Sequence, residues 1–172
     1  MTDGIVPTRA DALAIAAAVI FREARLLDRG DWDAWVGLYR EDALYWVPAW
    51  LDEYRTTADP LTQVSMIHHD SRQGLEERVA RIESRKSITA LPLPRTVHQI
   101  GNLEVVEVAP HRIAAESVFA VHVYDPRLGK EHTRHGRYAH TLALDRDEWR
   151  IARKVITLAN DRVPTVLDFY SI

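Results

Sequence analysis

The sequence contains no cysteine among its 172 residues. This absence excludes disulfide bonds, a thiol nucleophile, a zinc site with cysteine ligands and any iron–sulfur cluster held by thiolates of this chain. It agrees with residence in a reducing compartment.

Runs of basic residues and long hydrophobic runs are also lacking. The net charge is −3, and no run of Lys or Arg is long enough to follow a phosphate backbone, so we expect no nucleic-acid partner. The apolar stretch from Ala12 to Phe21 is too short to span a bilayer, has no basic cluster before it and runs directly into Arg22 and Glu23. We therefore expect a cytoplasmic protein without a membrane partner.

The length and composition favour one globular domain. A chain of 172 residues can bury a substantial core, and 47% hydrophobic residues is ordinary for a soluble protein. We expect a single domain over residues 1–172, with an N-terminal arm at 1–10 and a C-terminal extension at 160–172.

Helical spacing dominates the first half. Leu13, Ala17, Ile20, Ala24 and Leu27 predict a helix that is capped by Asp11 and ends at Gly30. A second helix is predicted over DWDAWVGLYRED with Asp31 as its cap, and a third over 72–84. The stretch ALYWVPAW and residues 63–68 predict strands, with a polar loop at 51–60 between them.

The second half is typical of an antiparallel meander. Ile113, Phe119 and Val121 alternate with polar residues onto one face, and tight turns separate the predicted strands. The predicted strands are 96–108, 112–124, 134–144 and 149–158. Three helices packed on one face of a long, curled antiparallel sheet give an α+β fold, shaped as a cone with an internal hollow.

The adjacent residues His68, His69 and Asp70 allow three interpretations: a metal site, a proton-transfer site, or a strand end that leads into a capped helix. Neighbouring strand residues point to opposite faces, which disfavours a shared ion. Asp70 as N-cap with Gln73 three residues later matches a capping box, so the structural interpretation is favoured.

A second histidine group, His132, His135 and His140, has no spacing that forces three ligands onto one point. We place His132 in a loop and expect solvated or interface histidines.

Three further features have more than one interpretation. Trp32, Trp35, Tyr39, Tyr45, Trp46 and Trp50 are typical of a core, with one strand face left to meet another subunit. His98 and Asn102, beside Arg95, could form a proton relay, a hydrogen-bonded core feature or an interface contact. The tail around Phe169 and Tyr170 either folds back on the sheet or exposes an apolar patch to a partner.

Five segments, spread from Leu27 to Ile172, resemble one known family. They are RGDWDAWVGLYREDALYWVPAW, DPLTQVSMI, SRQGLEERVARI, LPLPRTVHQIGN and LANDRVPTVLDFYSI. In this order they resemble the small (β) subunit of aromatic-ring-hydroxylating dioxygenases, in the branch that acts on benzoate, toluate and anthranilate.

The resemblance implies a cystatin-like fold of the nuclear-transport-factor-2 superfamily and a hexamer of three large and three small subunits. It implies a Rieske [2Fe–2S] cluster and a mononuclear Fe(II) in the large subunit, with electrons from NAD(P)H through a reductase. The small subunit then has no catalytic, cofactor or metal residues and serves assembly. The subunit-interface candidates are Trp46, Trp50, His68, His69, Arg95, His98, Asn102, Asp161, Phe169 and Tyr170.

The alternative is a stand-alone isomerase or dehydratase that uses the hollow of the cone. His98 with Asp70 or His69, helped by Tyr45, would then supply the general acid and base.

Overall fold

The computed structural model describes residues 6–84, 91–160, 162 and 167–172. Within them the chain forms three helices and six strands. The helices are α1 (Arg9–Arg29), α2 (Trp32–Val36) and α3 (Arg72–Glu83). The strands are β1 (Tyr39–Pro48), β2 (Ser65–His69), β3 (Arg95–Ala109), β4 (Arg112–Asp125), β5 (Lys130–Asp145) and β6 (Glu148–Leu158), and a 3-10 turn spans Phe169–Ser171.

The strands form one sheet in the order β2-β1-β6-β5-β4-β3. β1 and β6 run parallel, and the other neighbours are antiparallel. The predicted α+β class with a mixed, mainly antiparallel sheet is therefore confirmed. Among the described helices, none combines the length and apolar character that a membrane span requires.

The core lies between α1 and the inner face of the sheet. β4 shows the predicted period of two, with Ile113, Phe119 and Val121 buried and Glu116 and His122 exposed. These inward side chains pack with Ala16 and Ile20 of α1 and with residues of the other strands in a continuous cluster. The helix thus closes one side of the hollow that the curled sheet forms.

The ends and the inner face of α1 differ in part from expectation. Gly30 ends the helix in the left-handed conformation, at φ 68°, as predicted. The N-cap is Thr8 rather than Asp11: the Thr8 hydroxyl accepts the Asp11 backbone N–H, and Asp11 lies in the first turn. Ile20, Ala24 and Leu27 are buried as predicted, but the first turns of the helix bury Ala12 and Ala16 and leave Leu13 exposed.

The second helix is shorter than predicted. It ends at Val36, Asp31 makes no side-chain capping bond, and Tyr39 already begins β1. The aromatic residues that suggested a long helix face are shared between α2 and the first residue of the strand. β5 is longer than predicted, so His132 lies in a strand and not in a loop.

Candidate functional site

A buried charged cluster lies in the space between α1 and the inner face of the sheet, which is called the hollow here. Glu23 of α1 accepts a hydrogen bond from Lys154 of β6, with Nζ 2.9 Å from Oε1. Its other oxygen, Oε2, lies 3.2 Å from Nε2 of His140 on β5, and the Tyr39 hydroxyl of β1 donates to Oε1. Glu23, His140 and Lys154 are each at most 2% exposed. Four elements, α1, β1, β5 and β6, are thereby joined at one carboxylate.

Aromatic rings enclose the cation of this cluster. The Lys154 Nζ lies 4.2 Å from the ring centroid of Tyr138 and 5.9 Å from that of Tyr45. Both tyrosines are buried, and Tyr138 stacks on Phe119 with ring centroids 4.1 Å apart. Cation–π attraction therefore adds to the ion pair in stabilising a charged lysine that has lost its water.

Burial and pairing oppose each other in the acid–base behaviour of the cluster. Burial alone would raise the pKa of Glu23, but attraction to Lys154 and the hydrogen bonds from His140 and Lys154 hold it far below its usual value. Burial lowers the pKa of Lys154 and of His140, against the attraction of Glu23. The Glu23 carboxylate is therefore the common acceptor of the cluster, facing Lys154 Nζ on one oxygen and His140 Nε2 on the other.

This arrangement suits structural stabilisation better than turnover. Within the described part of the chain, the Tyr45 and Tyr138 hydroxyls and Nδ1 of His140 have no protein hydrogen-bond partner. The charged groups, however, are hydrogen-bonded to one another, and almost none of their surface is exposed to solvent. A substrate would have to displace a buried ion pair, which costs several kcal/mol for each ion left unpaired.

Glu23 and Lys154 are not among the residues predicted from the sequence, and the expectation that His140 is solvated or at an interface is wrong, because it is buried. The sequence does contain a pattern that indicates buried positions for Glu23 and Lys154. Glu23 falls at helical spacing from the buried Ile20 and Leu27, and Lys154 shares the strand face of Ile156 and Leu158. A charged residue on an otherwise apolar face predicts a buried polar partner.

The three adjacent residues His68, His69 and Asp70 form neither a shared metal site nor a capping box. His68 pairs with Trp46 and His69 with Tyr45 across the strands, so the two imidazoles lie on opposite faces. The N-cap of α3 is Ser71 and makes no side-chain bond, and the predicted cap at Asp70 is wrong.

The contacts of Gln73 and His69 explain why no capping box and no shared metal site form. The Gln73 amide donates to Glu77 instead of reaching back to the cap. His69 packs at the base of α3, where a Cβ on Gly74 would lie only 2.4 Å from its Nδ1. Burial, with repulsion from Arg78 and His68, lowers the pKa of His69.

His98 pairs with Asp28, which is not among the predicted partners. Its Nδ1 lies 2.5 Å from Oδ1 of Asp28 on α1, and its backbone N–H donates to Oδ2 at 3.0 Å. Burial would raise the pKa of Asp28, but these bonds from His98 lower it. The expected His98–Asn102 pair does not form, because Asn102 sits at φ 48° in an irregular part of β3 and is exposed. Arg95 is exposed, 5.9 Å from the ring centroid of Tyr124.

The aromatic residues divide between the two faces of β1. Trp35, Tyr39 and Tyr45 are fully buried in the hollow. Trp46 faces the other side, is buried at 5% exposure, and donates from Nε1 to Ser65 Oγ at 2.8 Å. Trp50 donates to the carbonyl of Leu158 at 2.7 Å, which ties the end of β1 to the end of β6.

The C-terminal residues fold back onto the core. Phe169 is fully buried and stacks on Trp35, with centroids 4.4 Å apart and 12° between the rings. Asp168 bonds to Arg78 of α3 at 3.2 Å, and the buried Arg134 donates to the Ser171 hydroxyl. Phe169 therefore fills the chain's own core, and the half-buried Tyr170 lies beside it. Asp161 lies outside the described residues.

The donor set of this chain does not fit a Rieske cluster. Such a centre needs two cysteine thiolates and two histidines, and the sequence has no cysteine. In the described part of the chain, no three His, Asp or Glu side chains converge as a metal site would require. His132, His135 and His140 lie along β5, with His135 exposed and His140 turned into the hollow.

Comparison with known proteins gives a consistent result. The family described as "Ring hydroxylating beta subunit" matches residues 22–165. The anthranilate 1,2-dioxygenase small subunit of Acinetobacter baylyi is 39% identical over 153 residues, which cover 89% of this chain and 93% of that protein. The benzoate 1,2-dioxygenase subunit beta of the same organism is 33% identical, covering 89% of each chain.

Solved structures agree with the sequence relatives. The beta subunit of the benzoate 1,2-dioxygenase from Burkholderia mallei superposes with a TM-score of 0.77 at 31% identity, over 92% of this chain and 96% of that one. An NTF2-like protein with a cystatin-like fold from Novosphingobium aromaticivorans gives 0.60 at 18% identity, over 89% and 85% of the two chains, and shows the fold alone. The expected cystatin-like fold is confirmed, and the chain belongs to the family of ring-hydroxylating dioxygenase beta subunits.

Proposed function

We propose that this chain is the assembly subunit of a dioxygenase that dihydroxylates the ring of an aromatic carboxylic acid. The sealed Glu23–Lys154–His140 cluster is the observation that carries the assembly role. A hollow filled by its own ion pair stabilises the fold but offers no reactive group to a substrate. The relatives named above act on anthranilate and benzoate, both aromatic carboxylates, which supports the substrate class.

The redox centres would belong to the large subunit. Since this chain has no thiolates for a Rieske cluster, the cluster, the mononuclear iron and the site for the aromatic acid would lie in that partner, with NAD(P)H oxidised by a separate reductase. We further propose that the chain acts as one domain, in the cytoplasm, within a complex of three large and three small subunits. The outward-facing members of the interface candidates, such as Arg95 and Asn102, remain candidates for its contacts.

The stand-alone isomerase or dehydratase is less well supported. His98 is bound to Asp28 rather than to Asp70 or His69, so the proposed acid–base pair does not assemble. Tyr45 is buried, and its ring lies 6.5 Å from that of His69 between centroids, but His69 does not pair with His98.

The test is to express the tagged chain together with its large subunit, which is to be sought in the reading frames next to the gene. The expected product is a complex that contains iron, has a mass fitting three copies of each subunit, and consumes oxygen with benzoate, anthranilate or toluate when reductase and NADH are supplied. The chain alone should consume none. Failure of the wild-type chain to retain the large subunit, or conversion of a small substrate by the chain alone, would overturn the proposal.

A further inference from the structure

The loop between β1 and β2, residues 49–64, exposes apolar side chains to an unusual extent. Leu51, Tyr54, Leu61 and Val64 are between 56% and 87% exposed. Connections in compact domains have a median of about 4–6 residues, and long ones are commonly functional. Four exposed large apolar side chains within one loop of 16 residues favour a role of this loop in a protein–protein contact.

Hydrogen bonds hold the first half of this loop in one shape. The Asp52 carboxylate accepts the backbone N–H groups of Tyr54 and Arg55, each at 2.9 Å, and pairs with the Arg55 guanidinium at 2.6 Å. Thr57, which is buried, bonds to Ala49 through both its N–H and its hydroxyl. Leu51 and Tyr54 are therefore presented by a fixed turn.

Hydrogen bonds also fix the second half of the loop, residues 58–64. Asp59 accepts the backbone N–H of Leu61 at 2.9 Å and the hydroxyl of Thr62 at 2.6 Å. The Gln63 side chain accepts the N–H groups of Ala58 and Asp59. This second turn presents Leu61, and Val64 follows it. A surface that is ordered before binding loses less conformational entropy when a partner arrives.

We propose that the 49–64 loop is a docking surface for the large subunit of the dioxygenase, and this inference rests on the proposed function. The relatives of the chain are small subunits by name, so a larger, different chain is the partner that the family requires. The loop carries Glu53 and Asp59 among its apolar residues, with Asp52 already paired to Arg55. The matching surface is an apolar patch bordered by Lys or Arg.

A second copy of this chain is a poorer match. The surface pocket lined by Trp32, Leu91 and Pro92 is apolar and could receive the loop of another copy. Glu83 also lines this pocket, however, and would repel the negatively charged Glu53 and Asp59 of the loop. The surface pocket beside Arg25 and Arg29 carries their positive charge, although the Asp28 carboxylate also lines it. Its volume of about 300 Å³ is at the lower end even of small-molecule sites, and the four apolar side chains are spread over residues 51–64.

The test is a competition within the complex. A variant that carries both Tyr54→Ser and Leu61→Ser is co-expressed with the wild-type chain and the large subunit, and mass spectrometry measures the ratio of the two small chains in the purified complex. We expect the variant to be under-represented at least ten-fold. The matched control carries Leu13→Ser and Phe21→Ser, which replace a leucine and an aromatic residue on the outer face of α1 that are 42% and 45% exposed. It should be incorporated equally with the wild-type chain.

Each other outcome has a definite meaning. If the wild-type chain retains no large subunit, the proposed function itself fails. If the wild-type complex forms and the loop variant is incorporated equally, or the control is lost as strongly, the docking surface is wrong. The isolated loop variant should have the wild-type mass by light scattering and the same thermal transition. A changed mass would identify a second copy as the occupant and overturn the proposal.

Discussion

Glu23 and Lys154 are 131 positions apart in the chain, yet their charged atoms lie 2.9 Å from each other inside the hollow. The bond links the middle of α1 to the centre of β6. It thereby fastens the helix that covers the sheet to a strand that is paired on both sides. Because both groups have lost nearly all contact with water, each depends on the other for its charge compensation.

Loss of Lys154 should therefore destabilise the chain strongly. Lys154→Met leaves the Glu23 carboxylate buried without its cation, and removal of one partner of a buried pair costs about 3–5 kcal/mol. Urea denaturation followed by circular dichroism should show this decrease in the free energy of unfolding. The double variant Glu23→Gln with Lys154→Met should lose less than Lys154→Met alone; strictly additive losses would contradict the coupling.

Replacement of His140 should change the pH dependence of stability. Burial lowers the pKa of His140, so below its ordinary value of about 6.5 the unfolded state binds more protons than the folded state, and stability falls as the pH falls. His140→Gln should lose less stability between pH 7 and pH 5 than the wild-type chain does. Some slope should remain, because the pKa values of His69 and His132 are also lowered.

The range from pH 5 to pH 7 separates the contribution of His140 to stability from that of Glu23. The pKa of Glu23 is depressed, so its contribution is present above about pH 4.3 and is lost only at lower pH. Denaturation curves at pH 5, 6 and 7 therefore lie above the range in which Glu23 loses its contribution. Parallel pH profiles for the His140→Gln variant and the wild-type chain would refute the expectation.

Phe169→Ala should show that the tail belongs to the core. The ring stacks on Trp35 and is fully buried, and truncation of a buried phenylalanine costs about 3–5 kcal/mol. The control is Phe21→Ala on the outer face of α1, where the loss should be below about 1 kcal/mol. Equal effects in chemical denaturation would mean that the tail does not pack as described.

Gly136→Ala tests the close approach of β5 to β6. A Cβ at this position would lie 2.0 Å from the carbonyl oxygen of Thr157, a backbone atom that cannot move without disturbing the strand. We expect a loss of about 1–3 kcal/mol or more. Gly101→Ala is the control, because the nearest atom to its Cβ is a Val118 methyl at 3.5 Å, an ordinary contact. Similar thermal transitions for the two variants would contradict this explanation.

Patterns of neighbouring residues correctly predicted the inner face of a strand and the end of a helix. The alternation of Ile113, Phe119 and Val121 defined the inner face of β4, and Gly30 defined the end of α1. The cap at Asp70 was predicted wrongly because Ser71, one position later, is an equally suitable residue type. Between two such neighbours the sequence offers no local criterion, and the turn geometry decides.

The buried cluster depends on contacts between distant segments. Glu23 shows its direction through helical spacing, but the sequence does not state that Lys154 and His140 lie opposite it. That follows only from the strand order, in which β6 lies between β1 and β5. The same holds for Asp28 and His98, 70 positions apart. The family resemblance predicted the fold correctly, but it did not name any of these pairs.

The parallel pairing of β1 with β6 has a consequence for synthesis. β1 ends at Pro48 and β6 at Leu158, so 110 further residues must leave the ribosome before the inner edge of β1 can find its partner. At about 5–20 residues per second this takes on the order of 5–20 s. During that time a strand rich in tyrosine, tryptophan and valine has an open edge, the kind that recruits other chains. During synthesis, newly made copies of this protein should therefore be more prone to association through this edge than the folded chain is.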